Sequence, residues 1–258
     1  MLLRVNVTFF CWLIVSILIP QSGFCITGLE VAERMDAVDT SKCGEMQSIM
    51  LIKRGSQQLV RAMDVKKKKF EGVEKQVIRF SEPQEVRDTS YLTWSHQDID
   101  KEDDMWVYMP SESLVRRVSG GGKKGPFMRS DYANEDVSKR EVADDTHKLL
   151  REEQLFGVDC YVVEMTPVHP HKTNFSKRIV WVRKDIWLPA KIEYINHAGK
   201  SYKELVYGGF KKIQGIWTTT RQKMTTPSRG TVTIMEYRKV AYDTGLSDSL
   251  FLQTDLKR

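Results

Sequence analysis

The sequence has few of the residues that specialised scaffolds need. Its 258 residues include only four cysteines, eight prolines and five histidines, and four cysteines are too few for a disulfide-built domain. The 41% of apolar and 10% of aromatic residues are too many for a disordered chain. Charges of both signs are mixed along the chain and leave a net charge of +6, which describes a solvated surface better than a nucleic-acid-binding one.

Long apolar runs are also absent, apart from one near the N-terminus. Residues 1–25 contain a single charge, Arg4, followed by an apolar run over residues 7–19, which is shorter than the roughly 20 residues of a spanning helix. This build is typical of a secretory signal, and we predict cleavage after Cys25. An uncleaved membrane anchor and a lipid attached to Cys25 are the alternatives. Removing the signal leaves residues 26–258 with a net charge of +5, because Arg4 is lost.

Export changes how the remaining cysteines are interpreted. Cys43 and Cys160 stay in the mature chain, in a compartment that allows disulfides. They form either one disulfide or two buried free thiols. Export also argues against nucleotide chemistry, because ATP and reduced nicotinamide cofactors are cytosolic.

Local motifs for catalysis or metal binding are missing as well. The chain contains no G-x-S-x-G, H-E-x-x-H or S-x-x-K motif. The glycine-rich run 119–125 is followed by Pro126 and so lacks the order of a phosphate loop. The acidic turn 98–104 lacks the glycine and terminal glutamate of a calcium loop, and the histidines of 169–171 have no third ligand at a recognisable spacing. We therefore predict no enzyme, no cofactor and no metal.

The body of the chain is patterned for strands. A capping box that begins at Thr27, followed by an apolar stripe, predicts an amphipathic helix over 28–40. Alternating runs then predict about a dozen strands at spacings of roughly 10 to 15 residues, among them 189–195 and 216–225. Short helical stretches are predicted only near 130–137 and 247–251. No linker divides the chain, so we predict one domain, residues 26–258. Its single antiparallel sheet must curl to protect its edges.

One predicted strand has two apolar faces. In residues 104–109, Trp106 and Tyr108 point one way, whereas Met105 and Val107 point the other. Both faces of this strand should therefore be covered. A curved sheet whose open side is occupied by a helix would cover both faces, and so would a sheet wrapped around an apolar ligand.

Three segments carry a resemblance to a known family. They read DDMWVYMP at 103–110, VRRVS at 115–119 and FMRSDYANED at 127–136. Together they resemble the outer-membrane lipoprotein-sorting protein family, relatives of the LolA and LolB lipoprotein carriers, with its D-x-W-x-Y-x-P, R-R-[IV]-S and F-x-G-S-D-[FY] patterns. Looser matches extend over the whole mature chain. Arg129 stands where the family usually has glycine, which leaves the conformation of that loop open.

The resemblance implies a mainly β, α+β fold: an incomplete, strongly curved antiparallel barrel whose open side is plugged by helices. It also implies an apolar cavity for acyl chains and no catalysis. On this basis the helix over 28–40 is expected to act as a lid. The aromatic and sulfur-containing residues expected to line the cavity are Trp94, Trp106, Tyr108 and Met109.

The same resemblance gives roles to charged and loop residues. Arg116 and Arg117 either hold a head-group phosphate or pair with Asp131, Glu135 or Asp136. We favour the pairing, because a buried arginine needs a carboxylate partner. The residues expected to order the loop are Phe127, Ser130, Asp131, Glu135 and Asp136.

The expected function is that of a monomeric periplasmic carrier or binding protein for acyl chains of lipids or lipoproteins. An inner-membrane transporter and an outer-membrane acceptor are its candidate partners. Two other functions stay open. One is an accessory subunit of an envelope exporter, with a cavity filled by its own side chains. The other is an exported hydrolase whose site is assembled from distant residues.

Overall fold

The computed structural model describes residues 26–257, so the signal predicted for residues 1–25 lies outside the described residues. The chain begins with helix α1, Gly28–Asp36, whose capping box is formed as predicted: Thr27 Oγ1 accepts from the Glu30 N–H at 3.1 Å, and Glu30 Oε2 accepts from the Thr27 N–H at 2.7 Å. The helix ends four residues earlier than predicted. The Asp39 carboxylate accepts a bond from the Ser41 N–H at 3.0 Å and fixes a turn there.

Strands make up most of the remaining chain. Their bounds are β1 Cys43–Arg54, β2 Gln57–Phe70, β3 Val73–Glu82, β4 Ser90–His96, β5 Asp104–Met109, β6 Leu114–Arg117, β7 Asp145–Leu155, β8 Val158–Pro167, β9 Lys177–Arg183, β10 Pro189–Ile195, β11 Ser201–Gly208, β12 Lys211–Ile213, β13 Ile216–Thr218, β14 Arg221–Thr226 and β15 Thr231–Tyr242. The short 3₁₀ helices are Pro110–Glu112, Gly120–Gly122, Phe127–Arg129, Asn134–Val137, Val142–Asp144, Pro170–Lys172, Pro227–Arg229, Asp248–Phe251 and Gln253–Lys257.

Thirteen of the strands form one antiparallel sheet in the order β6-β5-β4-β3-β2-β1-β15-β14-β11-β10-β9-β8-β7. The predicted mainly β fold with one large antiparallel sheet is confirmed. The sheet does not close, because its edge strands β6 and β7 do not pair with each other. The prediction of several plugging helices is not matched: α1 is the one α-helix within residues 26–257, and the other helical pieces are short 3₁₀ turns.

The strand predicted over 216–225 is divided in two. Thr219 Oγ1 donates to the Gly208 carbonyl at 2.8 Å, and Thr220 Oγ1 donates to the Gly209 carbonyl at 2.7 Å. These bonds hold a bend between β13 and β14. As a result β13 pairs with β12 in a separate small hairpin, whereas β14 joins the main sheet.

The inner face of the sheet carries the main apolar core. Met50 of β1, Met105 of β5 and Val163 of β8 belong to one buried cluster, although their strands lie far apart in the sheet order. Met105 of β5 and Met165 of β8 also line one cavity, which strands so far apart can do only if the sheet curves around this face. The curvature predicted from the sequence is therefore present.

The outer face of β3–β5 is covered by the C-terminal segment, residues 243–257. Leu246, Phe251 and Leu256 are buried against Leu92 and Trp106. These strands therefore have both faces covered, as the two apolar faces of residues 104–109 predict. The cover includes the 3₁₀ helices Asp248–Phe251 and Gln253–Lys257. The sequence predicts a helical stretch near 247–251 but not its position on the sheet.

Replacing Phe251 tests the C-terminal segment as a structural cover. The side chain is fully buried, so Phe251→Ala should lower the free energy of unfolding by about 3–5 kcal/mol. The neighbouring Leu252 is 46% exposed, and Leu252→Ala should change it by less than about 0.5 kcal/mol. Urea unfolding of both variants checks this, and equal effects would contradict the assigned cover.

Candidate functional site

A cavity of about 910 Å³ opens on the inner face of the sheet. Its apolar wall comes from strands at both ends of the sheet and from the loop that joins them. These apolar residues are Met46, Met63, Val65, Ile78, Met105, Phe127, Met165, Ile192, Leu205 and Met235.

Helix α1 forms one side of the cavity. Ala32, Met35 and Asp36 line it, and α1 packs against β7 and β8. The start of the helix lies very close to β7, since a Cβ atom on Gly28 would sit 2.6 Å from the Leu149 nitrogen. Only glycine allows this approach. The helix thus has the position expected of a lid, whereas its movement stays a prediction.

The inner loop, residues 118–144, crosses the inner face and joins β6 to β7. Asp131 fastens it to β15: its carboxylate accepts bonds from the hydroxyls of Thr231 and Thr233, the latter at 2.7 Å. Ser130 Oγ donates to the Phe127 carbonyl at 2.7 Å. These hydrogen bonds attach the inner loop to β15 and close its turn at Phe127.

The end of the inner loop is held by a buried ion pair. Lys203 Nζ lies 2.6 Å from Asp136 Oδ2, and both side chains are about 95% buried. Glu135 accepts a bond from the Asn174 N–H at 3.1 Å, and burial followed by the charge of Asp136 raises its pKa. Phe127, Glu135 and Asp136 also line the cavity.

Arg129 has a conformation that fits the family's usual glycine at this position. Its φ is +61°, and that of Met128 is +47°, both in the left-handed region that favours glycine. The Met128 carbonyl accepts a bond from the Arg61 side chain, and the Arg129 carbonyl accepts one from Arg54. These bonds hold Met128 and Arg129 in the left-handed conformation. The sequence had left this conformation open, because arginine replaces the family's usual glycine.

The four residues expected to line the cavity do not line it. Trp94, Trp106 and Tyr108 point to the outer face and pack in the cluster under the C-terminal segment. Trp94 and Trp106 meet edge to face at 5.0 Å, and Met109 lies half-buried at the end of β5. The alternation along β5 was predicted correctly, but the face that meets the cavity is that of Met105.

The favoured partners of the two arginines are corrected too. Arg116 pairs with Glu112 and Arg117 with Asp104, each at 2.5 Å. Both arginine side chains are more than half exposed, so neither needs a buried carboxylate. The acidic residues proposed as partners, Asp131, Glu135 and Asp136, are engaged by other groups of the fold.

A buried charged group that the sequence did not reveal lines the cavity. Asp145 accepts bonds from Arg140 and Arg178, at 2.6 Å each, and its side chain is 2% exposed. Both guanidinium groups lie over the ring of Phe175, at 5.5 and 5.2 Å. Burial opposes ionisation of Asp145, but the bonds and charges of the two arginines outweigh it and lower its pKa. Arg178 lies 33 residues after Asp145, and the spacing of Arg140 and Asp145 belongs to no known motif. The sequence alone therefore does not mark this group.

Aromatic hydroxyls form a second polar group on the cavity wall. Tyr132, Tyr194, Tyr207 and Tyr237 line the cavity beside Gln222, and Tyr132 donates to Gln222 Oε1 at 3.1 Å. Burial raises the pKa of all four tyrosines. We call these four residues the tyrosine cluster.

The cysteines, the metal ligands and the helix lengths can be compared directly with the structure. Cys43 and Cys160 are buried free thiols in different clusters, so the free-thiol alternative holds. Residues 26–257 contain no group of histidine, cysteine or carboxylate side chains placed to hold a metal ion. No helix in that range has the length and hydropathy that crossing a bilayer requires.

Solved structures with the same architecture define the class. A LolA superfamily protein from Nitrosomonas europaea superposes with a TM-score of 0.71 at 22% identity over 89% of this chain and 99% of its own. A protein of Vibrio parahaemolyticus described as an outer membrane lipoprotein-sorting protein domain reaches 0.85 at 30% identity, over 90% and 98%. The fold is LolA-like, and the resemblance to the outer-membrane lipoprotein-sorting protein family is confirmed.

The family follows from a closer match. A DUF1329 family protein from Desulfovibrio piger has a TM-score of 0.87 and 39% identity, with 89% of this chain and 97% of that one covered. The sequence model of a family described only as uncharacterized protein-like matches residues 72–258, and no curated protein matches the chain. The chain belongs to the DUF1329 family.

The exposed position of Arg117 predicts a small effect for its removal. A surface pair contributes about 0–1 kcal/mol, so Arg117→Ala should lower the free energy of unfolding by less than about 1 kcal/mol. Thermal unfolding checks this value. A loss of several kcal/mol would show that the arginine has the structural role first expected of it.

Replacing Asp145 tests the buried charged group. Asp145→Asn leaves two arginines without their carboxylate and should lower the free energy of unfolding by about 3–5 kcal/mol at pH 7. Because the pKa of Asp145 is lowered in the folded protein, its contribution is present above about pH 4 and lost as the pH falls through that folded pKa. The difference between wild type and variant should therefore shrink by pH 3.

Asp185 provides the matched control, because it pairs with Arg183 at 2.6 Å but is 55% exposed. Asp185→Asn should lower the free energy of unfolding by about 0–1 kcal/mol. Urea unfolding at both pH values measures all three proteins. An Asp145→Asn effect as small as that of the control, or one independent of pH, would contradict the assignment.

Proposed function

We propose that the protein is a non-enzymatic carrier or binding protein that holds acyl chains of lipids or lipoproteins in the inner-face cavity. The observation that carries the proposal is the cavity itself. Its volume of about 910 Å³ lies within the range of about 300–1,000 Å³ typical of small-molecule sites. A cavity of this size also argues against the alternative of an accessory subunit filled by its own side chains.

The wall chemistry supports a flexible hydrocarbon ligand. Six methionines contribute to the wall: Met35, Met46, Met63, Met105, Met165 and Met235. Unbranched thioether side chains adapt to ligands of different shape, which suits acyl chains with many conformers. Holding such a chain in water costs about 0.8 kcal/mol per CH₂, so transport between membranes requires an enclosed site.

The relatives support the same class of ligand. A protein described as an outer membrane lipoprotein-sorting protein domain shares 30% identity with this chain over most of its length. With the predicted signal, this favours a periplasmic location and a role in outer-membrane sorting. An inner-membrane transporter or outer-membrane acceptor would then exchange ligand with the protein, and α1 would move to open the cavity.

The ligand itself can be sought in the natural protein. Native mass spectrometry of the full chain, exported to the periplasm of a diderm host, should show bound phospholipid, fatty acid or lipoprotein. Met235→Trp fills the cavity from a wall position that is 5% exposed and should abolish the bound mass. Lys223→Trp, at an exposed position on the outer face of the neighbouring strand, should leave it unchanged.

A second readout keeps the proposal falsifiable. Uptake of a fluorescent fatty acid by the purified protein should saturate at one site and be lost in Met235→Trp only. Circular dichroism confirms that both variants are folded. A protein that carries no lipid and takes up no fluorescent fatty acid would contradict the proposal and support the accessory subunit.

A further inference from the structure

The structure also assigns a polar contact to the ligand. We propose that the tyrosine cluster binds the ester carbonyl of the acyl ligand through its phenolic hydroxyls, so that the cavity selects uncharged acyl esters over bare hydrocarbon and over free carboxylates. This inference rests on the proposed function and adds the chemical class of the group that is recognised.

Strand register brings the cluster together on the inner face. Tyr207 of β11 lies opposite Gln222 of β14, and Gln222 lies opposite Met235 of β15. Tyr237 is two residues beyond Met235 and therefore shares its face. Side chains directly opposite each other have Cβ atoms about 4.5–5.5 Å apart. Tyr207, Gln222 and Tyr237 thus form a continuous polar stripe in an otherwise apolar wall.

Tyr194 extends the stripe on its other side. It lies opposite Lys203 in the β10–β11 pair, and the Lys203 Nζ sits 4.3 Å from the centre of its ring. Tyr132 reaches the stripe from the inner loop through its bond to Gln222. The cluster therefore lies where the loop, the sheet and the buried Asp136–Lys203 pair meet.

Most of these hydroxyls have no acceptor among residues 26–257. Among residues 26–257, Tyr194, Tyr207 and Tyr237 donate no hydrogen bond to another residue, although their side chains line the cavity. Polar groups removed from water are nearly always hydrogen-bonded, and a phenol donates as well as accepts. A row of donors on a cavity wall is suited to a ligand that brings acceptor oxygens.

The charges around the cluster favour an uncharged acceptor. Burial raises the pKa of Tyr194, and the negative charge of Asp136 raises it further, so the phenol stays protonated and can donate. Lys203 is already engaged by Asp136 at 2.6 Å. Arg178, whose charge also reaches Tyr194 and Tyr207, is paired with Asp145 at 2.6 Å. A carboxylate at the cluster would therefore meet the field of Asp136 while both neighbouring cations are already paired, whereas an ester carbonyl accepts the same bonds without carrying charge.

Three probes that differ only in the polar group test the inference. They are a pyrene-labelled dodecanoic acid, its methyl ester and the corresponding pyrene-labelled hydrocarbon, each titrated by fluorescence into the full-length protein. The ester should bind about tenfold more tightly than the hydrocarbon and more tightly than the acid. In Tyr207→Phe/Tyr237→Phe this advantage should be lost, an effect of about tenfold for two hydrogen bonds, with hydrocarbon affinity unchanged.

Tyr202→Phe is the matched control. Its hydroxyl is sealed in the protein and also lacks a partner, and its side chain is not part of the cavity wall. Removing that hydroxyl should change no probe affinity, and thermal unfolding shows whether each variant retains its fold.

The possible outcomes separate the two proposals. Equal binding of ester and hydrocarbon by the wild-type protein, with no effect of the double variant, would overturn the polar contact and leave the carrier function standing. Tighter binding of the acid than of the ester would overturn the preference for an uncharged group. Failure of the wild-type protein to bind any probe would overturn the proposed function itself.

Discussion

A thirteen-stranded sheet whose edge strands do not pair must have both of its apolar faces removed from water, and this constraint organises the molecule. On the inner face, curvature brings distant strands together and the inner loop and α1 complete the cover. On the outer face of β3–β5, the C-terminal segment covers the apolar side chains. The inner cover encloses about 910 Å³, whereas on the outer face Leu250 and Asp255 of the C-terminal segment border a separate pocket of about 620 Å³.

The inner face also shows how polar groups are placed beside an apolar cavity. Asp145 is matched by two arginines and Asp136 by Lys203, so that the buried carboxylates meet positive charge. Asp131 is matched instead by threonine hydroxyls. These contacts fix the inner loop and leave the tyrosine cluster as polar surface that has acceptors to gain from a ligand.

Much of the fold could be predicted from the sequence, because alternation and capping are local signals. The capping box at Thr27 and the strand 189–195 match the structure residue for residue. The two apolar faces of residues 104–109 also follow from local pattern. The family motifs marked the inner loop, where Asp131 binds the hydroxyls of Thr231 and Thr233.

The site could be predicted only in part, since it depends on contacts between distant residues. Alternation shows that Trp106 and Met105 face opposite ways, but not which of them meets the cavity. That depends on the C-terminal segment, about 150 residues later in the chain. Arg178 reaches Asp145 from another strand, and the tyrosine cluster is assembled by register across four strands and a loop. No local spacing encodes such contacts.

The central claim is that the inner-face cavity is the place where an acyl chain is held. A crystal structure of the full chain with a fatty acid methyl ester brominated at the end of its chain tests it directly. The account predicts one anomalous bromine peak inside the cavity, against the methionine wall formed by Met63, Met105 and Met235. A peak on the outer face, under or beside the C-terminal segment, with the cavity free of ester density, would contradict it.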